Sequence, residues 1–252
     1  MSEILTFGNE ILSLNGDILE SGEIPMPRNS IRVRLSSGFT PIDPRETTMH
    51  YERVNDDIWD LVNTGTDWGI AFVSANENLL EVISTNIVEP ISSTYRMFDG
   101  CTSITRVPLF DTSAAVDMGA MFSTCTNLEE VPNYVTSSCE NFAAMLQTCR
   151  SLRNFPEFDT RNGKNFEGMF TECVSIVGNI PDYDLSSAEN LNSMFWVCEN
   201  VTGGMYSLYL QASSYSPVPT HDDMFFYTGS NTASGRAERA QIPTSWGGDL
   251  AE

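Results

Sequence analysis

Lysine is nearly missing from these 252 residues: Lys164 is the single one, and the 13 basic residues face 34 acidic ones, for a formal net charge of −21. Such an excess of negative charge repels phosphate backbones and anionic lipid, which argues against nucleic acid and membrane surfaces as partners. Histidine is scarce as well. His50 and His221 lie far apart, and there is no G-x-S-x-G, H-E-x-x-H or phosphate-binding glycine loop. With no nucleophile set beside a base, the chain reads as no enzyme, without catalytic residues and without a cofactor. No apolar run approaches the roughly 18 residues of a membrane span, so membrane insertion is not expected. A basic segment followed by an apolar one, the mark of a secretion signal, is also missing near Met1.

What the chain does have is a phrase said five times. Met97-Phe98-Asp99-Gly100-Cys101, Met121-Phe122-Ser123-Thr124-Cys125, Met145-Leu146-Gln147-Thr148-Cys149, Met169-Phe170-Thr171-Glu172-Cys173 and Met194-Phe195-Trp196-Val197-Cys198 are copies of M-[FL]-x-x-C, spaced 24, 24, 24 and 25 residues apart. A fixed period of this length predicts units that bury their apolar faces only against their neighbours. Five of the six cysteines fall at one position of the repeat and Cys139 belongs to a file of small residues with Ala115, Gly163 and Ala188. They read as buried, reduced, small hydrophobes. Zinc needs closely spaced ligand pairs that a 24-residue spacing does not supply, and the acid pairs Asp182/Asp184 and Asp222/Asp223 match no calcium loop, so no metal is expected.

Within each repeat two periodicities alternate. Met118 to Cys125 places apolar residues at i, i+3, i+4 and i+7, which predicts a short helix; Leu128 to Tyr134 predicts a short strand ended by Pro132. Asp117, Asn141, Asn165 and Asn190 precede the helical segment and can satisfy backbone groups at the turn. The fold class expected is therefore an α/β repeat: a leucine-rich-repeat-like right-handed solenoid of five to six coils, each with one short helix and one short parallel strand, with caps at both ends. The structural core is assigned to Met97, Cys101, Met121, Cys125, Met145, Cys149, Met169, Cys173, Met194 and Cys198.

Before the repeats, Glu3-Ile4-Leu5, Glu10-Ile11-Leu12 and Asp17-Ile18-Leu19 recur every seven residues, with Gly8-Asn9 and Asn15-Gly16 between them. Asn-Gly turns predict three very short strands in place of a coiled coil. So small a sheet needs support, either as a local meander on the chain or as an attachment and oligomerising foot, with a homotrimer favoured. Its apolar residues Ile4, Leu5, Phe7, Ile11, Leu12, Leu14, Ile18 and Leu19 are the candidate contacts. The organisation expected is a foot at 1–22, an N-terminal cap at 23–70, repeats at 71–202 and a C-terminal cap at 203–252. In the N-terminal cap, Ile31 to Leu35 alternates as a strand, and Asn55 or Asp56 through Val62 reads as a helix. Residues 71–82 read as a degenerate first repeat, and 203–213 and 234–240 read as helical.

The pattern M-F-x-x-C-x-x-L-x-x-V-P-x-F-D-T-S over Met97 to Pro181 resembles the BspA-type leucine-rich repeat proteins, also described as a Mycoplasma-lipoprotein-type surface repeat. Ser36-Ser37-Gly38-Phe39-Thr40-Pro41, Ile58-Trp59-Asp60, Asn78 to Ile83 and the closing Gln241-Ile242-Pro243-Thr244-Ser245-Trp246-Gly247-Gly248 extend the likeness to members encoded by bacteriophages of gut bacteria. The resemblance implies an adhesive or virion-structural role and carries no catalytic residue; Val135, Leu146 and Leu185 depart from its commonest form. The function expected is a non-enzymatic virion protein, a fibre, decoration or tail-associated component assembled in the host cytoplasm. Its N-terminus would bind other virion proteins and its repeats would present a face to a host surface glycan or protein. A bacterial cell-surface adhesin and a purely structural spacer are the alternatives. Binding residues are sought in the variable columns Leu109, Asn133, Glu157 and Asp182, and Thr105, Glu129 and Arg153, while the aromatic file Phe110, Tyr134, Phe158 and Tyr183 reads as core.

Overall fold

The computed structural model describes residues 5–7, 10–14, 17–18, 26–41, 48–69 and 76–250. Three short strands, β1 (Leu5–Phe7), β2 (Glu10–Leu14) and β3 (Asp17–Ile18), form an antiparallel sheet in the order β1-β2-β3 from the segments of the seven-residue repeat. Ile4 and Leu19 lie outside the described residues, as do 42–47 and 70–75.

The segment expected to be an N-terminal cap contributes to a four-stranded antiparallel sheet. That sheet contains β4 (Ser30–Leu35), β5 (Met49–Arg53), β6 (Ile58–Asn63) and β7 (Leu79–Asn86) in the order β5-β6-β4-β7. The helix expected over 55–62 is replaced by β6, every residue of which is buried. A central strand covered on both faces reads as an unbroken apolar run, and such a run carries no period that separates strand from helix. Asn63 and Asp60 are the polar exceptions within it, and only Asp60 is charged. It lies opposite Arg32 in the register of β4 and β6 and accepts two hydrogen bonds from the guanidinium, 2.7 Å each, so the buried carboxylate is matched by a planar fork. Residues 79–82, expected to open the repeats, belong instead to β7 and close this sheet.

The repeats depart from expectation in a more informative way. The predicted α/β solenoid, with a helix and a strand in every coil, is not formed. Among the described residues, regular structure consists of the sheets above, one two-stranded parallel pair, β8 (Gly178–Asn179) with β9 (Val201–Gly203), two short α-helices, α1 (Met205–Ser213) and α2 (Ala233–Arg239), and single 3-10 turns at Asn76–Asn78 and Thr244–Trp246. Between 92 and 177 the chain has turns and isolated bridges, and both helices lie after the last M-[FL]-x-x-C copy.

Backbone conformation explains why a helical period appears without a helix. Ala120 and Thr124 have φ of 52° and 58°, and the equivalent pairs Ala144/Thr148, Gly168/Glu172 and Ser193/Val197 do the same. A left-handed residue every four positions turns the would-be helix into consecutive β-turns. Met121, Ser123 and Cys125 donate back to Met118, Ala120 and Phe122 within the repeat. The alternate residues Met118, Ala120, Phe122 and Thr124 donate sideways to Asn141, Ala143, Met145 and Gln147 of the next repeat, at 2.7 to 3.0 Å. Each left-handed residue other than glycine costs about 1–2 kcal/mol, and the sideways bonds made by those same residues hold them in place.

Side chains follow the backbone register. Asp117 and Asn141 accept from the N–H two residues on, and single parallel bridges link Ser93, Asp117, Asn141, Asn165, Asn190 and Thr220 in turn. The Phe of the motif stacks on its counterpart, with ring centres 5.4 Å apart for Phe98 and Phe122 and 5.5 Å for Phe170 and Phe195. Phe110, Tyr134, Phe158 and Tyr183 are buried, and the two hydroxyls donate to the carbonyls of Pro108 and Pro156. All ten methionine and cysteine positions assigned to the core are fully buried and belong to one apolar cluster running from Ile31 to Trp246. Gly163 marks the tightest point of the small-residue file, where a Cβ would lie 2.2 Å from the Phe166 ring.

The cysteines do more than fill space. The Sγ atoms of Cys125, Cys149, Cys173 and Cys198 lie 3.0 to 3.2 Å from the carbonyls of Phe98, Phe122, Leu146 and Phe170 in the preceding repeat. Thr228 occupies the same place after Met224-Phe225, and its hydroxyl donates to Phe195 at 2.7 Å. A small buried donor is thus the common requirement. Thr228→Val is expected to destabilise by about 1 kcal/mol through loss of this bond. Thr228→Cys should cost less than that, as measured by urea unfolding.

Candidate functional site

The columns singled out from sequence are exposed, apart from Glu129, which is half-buried. Thr105, Glu129 and Arg153 are joined by backbone bonds from repeat to repeat, and Arg153 and Glu129 form a 2.9 Å ion pair. With Arg153 mostly in solvent, that pair contributes little to stability. Leu109, Asn133, Glu157 and Asp182 form the neighbouring column, in which the Asn133 side-chain oxygen Oδ1 accepts from the Glu157 N–H. Asn133 borders a shallow cleft of about 310 Å³ with Val107, Glu130, Val131 and Pro132. It has no aromatic wall. The foot residues Leu5, Phe7, Ile11, Leu12, Leu14 and Ile18 lie on β1 to β3, where the backbone alone is described.

A better-furnished cleft lies on the turn-built face. Its volume is about 370 Å³, and its walls are Ala143, Ala144, Gln147, Glu167, Gly168, Thr171, Ser193 and Trp196. Three successive repeats contribute, because the sideways bonds from Ala144 to Glu167 and from Gly168 to Asn192 set the turns side by side. Ala144, Gly168 and Ser193 are the first left-handed residues of their turns, and their small side chains leave the floor low. Gly168 is the extreme case: a Cβ there would come within 3.4 Å of the Thr171 hydroxyl and 3.7 Å of the Gln147 amide nitrogen.

The polar groups around this floor differ in their freedom. The Thr171 hydroxyl donates to the Ser193 carbonyl, and one Glu167 oxygen accepts from the Asn190 amide. The Gln147 amide has no hydrogen-bond partner among the described residues. At the far wall the half-buried Trp196 ring stacks on Phe226, 6.3 Å away and 10° from parallel, and Phe226 meets Tyr227 edge to face at 4.5 Å. Phe226 and Tyr227 are 38% and 50% exposed, so an aromatic shelf continues beyond the cleft. Among the described residues no lysine or arginine lines the cleft.

These residues were hidden in the motif itself. The first variable position of M-[FL]-x-x-C runs Asp99, Ser123, Gln147, Thr171, Trp196 and then Phe226, changing character while its neighbours hold. Consecutive turns bring it into an open column.

A catalytic reading finds little to build on. His221 stacks on Trp246 with ring centres 3.8 Å apart, and His50 pairs with Glu52 on the surface. Among the described residues no group of three His, Cys, Asp or Glu side chains could hold a metal ion, and no helix is long and apolar enough to cross a membrane. Neither the curated proteins nor the solved structures give a match to the chain. Residues 92–208, which span the M-[FL]-x-x-C copies and the cleft, match the model of a family described as "Mycoplasma protein of unknown function, DUF285".

Proposed function

We propose that this chain is a non-enzymatic binding protein that displays the turn-built face at a surface. The cleft between Gln147 and Trp196 carries this reading, because it combines a low floor, an aromatic wall and an unpaired amide, with Glu167 as its single ionisable group. A site of that kind suits binding and release, since Glu167 stands there without the second carboxylate or the base-activated nucleophile that bond cleavage ordinarily uses. The finer proposal is a bacteriophage virion component, fixed to the particle through the β1 to β3 segment and exposing the repeats to the host. Six buried, unpaired cysteines favour it, since a protein completed in a reducing cytoplasm keeps its thiols. The likeness of 92–208 to a Mycoplasma family favours a second reading, a bacterial cell-surface adhesin.

Labelled protein applied to cells of the host bacterium is expected to bind saturably, and clustering it on beads should strengthen binding well beyond that of the single chain. Trp196→Ala should lower cell binding tenfold or more while the circular dichroism spectrum is unchanged. Equal binding by the variant would remove the cleft from the function. Proteomics of purified particles separates the finer readings: the chain in particles supports a virion component, and the chain confined to cell envelopes supports the adhesin.

A further inference from the structure

The geometry points to a neutral, unbranched oligosaccharide of hexopyranose units as the ligand of the Gln147–Trp196 cleft. This rests on the binding reading above and specifies its ligand. Charge decides the first part. The chain carries −21 overall, Glu167 is the one ionisable group in the cleft wall, and no cation stands there to receive a phosphate, sulfate or carboxylate. An anionic ligand would be repelled at long range and left unpaired on arrival.

The shape and chemistry of the walls decide the second part. A pyranose ring has one face of C–H bonds and a rim of hydroxyls. The C–H face, slightly positive, is complementary to the negative face of an aromatic ring, and Trp196, backed by Phe226, offers such a surface at the cleft wall. The rim hydroxyls need groups that both donate and accept. The free amide of Gln147 does both, and a carboxylate oxygen of Glu167 accepts. A purely apolar ligand would leave these groups without water or partner, and a folded protein partner would need a much larger buried area than this open cleft provides.

Spacing supports a chain of sugars over a single one. The column Gln147, Thr171, Trp196, Phe226 advances by one repeat at each step, and the parallel bridges from Asn141 to Asn165, Asn190 and Thr220 set neighbouring repeats about 4.8 Å apart. That is about the length of one hexopyranose in an extended chain, so successive sugars meet successive repeats. The aromatic shelf of Phe226 and Tyr227 then extends the track past the cleft.

Titration calorimetry of the full chain with cellohexaose, laminarihexaose and mannohexaose tests the assignment, with hexagalacturonate as the acidic control. At least one neutral hexasaccharide should bind with a micromolar to low-millimolar Kd. Trp196→Ala and Gln147→Ala should each weaken it tenfold or more without loss of fold, and the acidic chain should bind at least tenfold more weakly. Gln147→Ala guards against misfolding, because its amide has no hydrogen-bond partner among the described residues. No binding by any neutral hexasaccharide, binding untouched by both variants, or equal binding of the acidic chain would each overturn it. If cell binding still falls in Trp196→Ala while every neutral sugar fails, the ligand class is wrong and the surface-binding function stands.

Discussion

Raising the pH from 8 to 10 is expected to unfold the protein cooperatively. All six thiols are buried and free, and burial pushes each of them upward, Cys139 and Cys198 to about 12. Cys101, Cys125, Cys149 and Cys173 are raised for the same reason. An unfolded thiol ionises near about 8.5. Below that value the thiols are neutral in both states and contribute no pH dependence. Above it the unfolded chain releases protons that the folded chain keeps, so stability falls until the folded values are reached, by about 1.4 kcal/mol per pH unit for each thiol. Six together remove roughly 8 kcal/mol per unit by the same linkage, against a total of about 5–15 kcal/mol for a typical domain. Tyr134 and Tyr183, raised well above their ordinary range by burial, add to the loss at higher pH. Urea titrations at half-unit intervals would show the slope. A stability that stays flat from pH 8 to 10.5 would contradict the buried-thiol account, and Cys198→Ala should reduce the slope by about one thiol's share, 1.4 kcal/mol per unit.

The second large effect is expected at Phe195. Its ring is fully buried, lies parallel to Phe170 at 5.5 Å and Phe225 at 5.8 Å, and meets Phe155 edge-on at 5.8 Å. Phe195→Ala empties the centre of that column and should cost about 3–5 kcal/mol, seen as a fall in Tm of roughly 10–15 °C. Phe195→Leu should cost under about 1.5 kcal/mol, since the volume change is small. The chain already makes that exchange once: Leu146 holds the same position, fully buried, between Phe122 and Phe170 in the sequence of repeats. Differential scanning calorimetry of the two variants checks the order, and a loss in Leu equal to that in Ala would mean that ring stacking, more than volume, holds the column.

How far the sequence could be read depended on which quantity set each element. Burial was legible, because Met97, Cys101 and their counterparts recur in one file, and a repeated apolar position has nowhere to go but inward. Backbone conformation was not. Apolar residues at i, i+3, i+4 and i+7 suit a helix, but they equally suit consecutive turns when every fourth residue is left-handed. Gly100 and Gly168 are the only glycines at those places, and the rest are filled by Ala, Thr, Ser, Glu, Arg and Val, which give no local warning. The tie is broken by hydrogen bonds between repeats, a long-range term that no local window contains. β6 failed for a different reason: buried on every residue, Ile58–Asn63 has no exposed phase to reveal its period. The candidate cleft was missed with the turns, since Gln147, Thr171 and Trp196 share an open column only once the turns replace the helix.

The sideways bonding also has a consequence for how such a chain changes over generations. Each turn segment receives bonds from the unit before it and passes an equivalent set to the unit after it, and the last set is taken up by the cap, where Phe225 donates to Trp246. A gene segment encoding one whole unit can therefore be copied or lost with every donor still meeting an acceptor, whereas one codon inserted or deleted inside a turn misaligns that unit's donors and acceptors with both of its neighbours. The one extra residue the chain does carry, between Met169 and Met194, sits at Gly178–Asn179, outside the turns, where β8 pairs with β9 across a register shift. Length is thus free to vary in whole units, and with it the number of columns available to a surface partner.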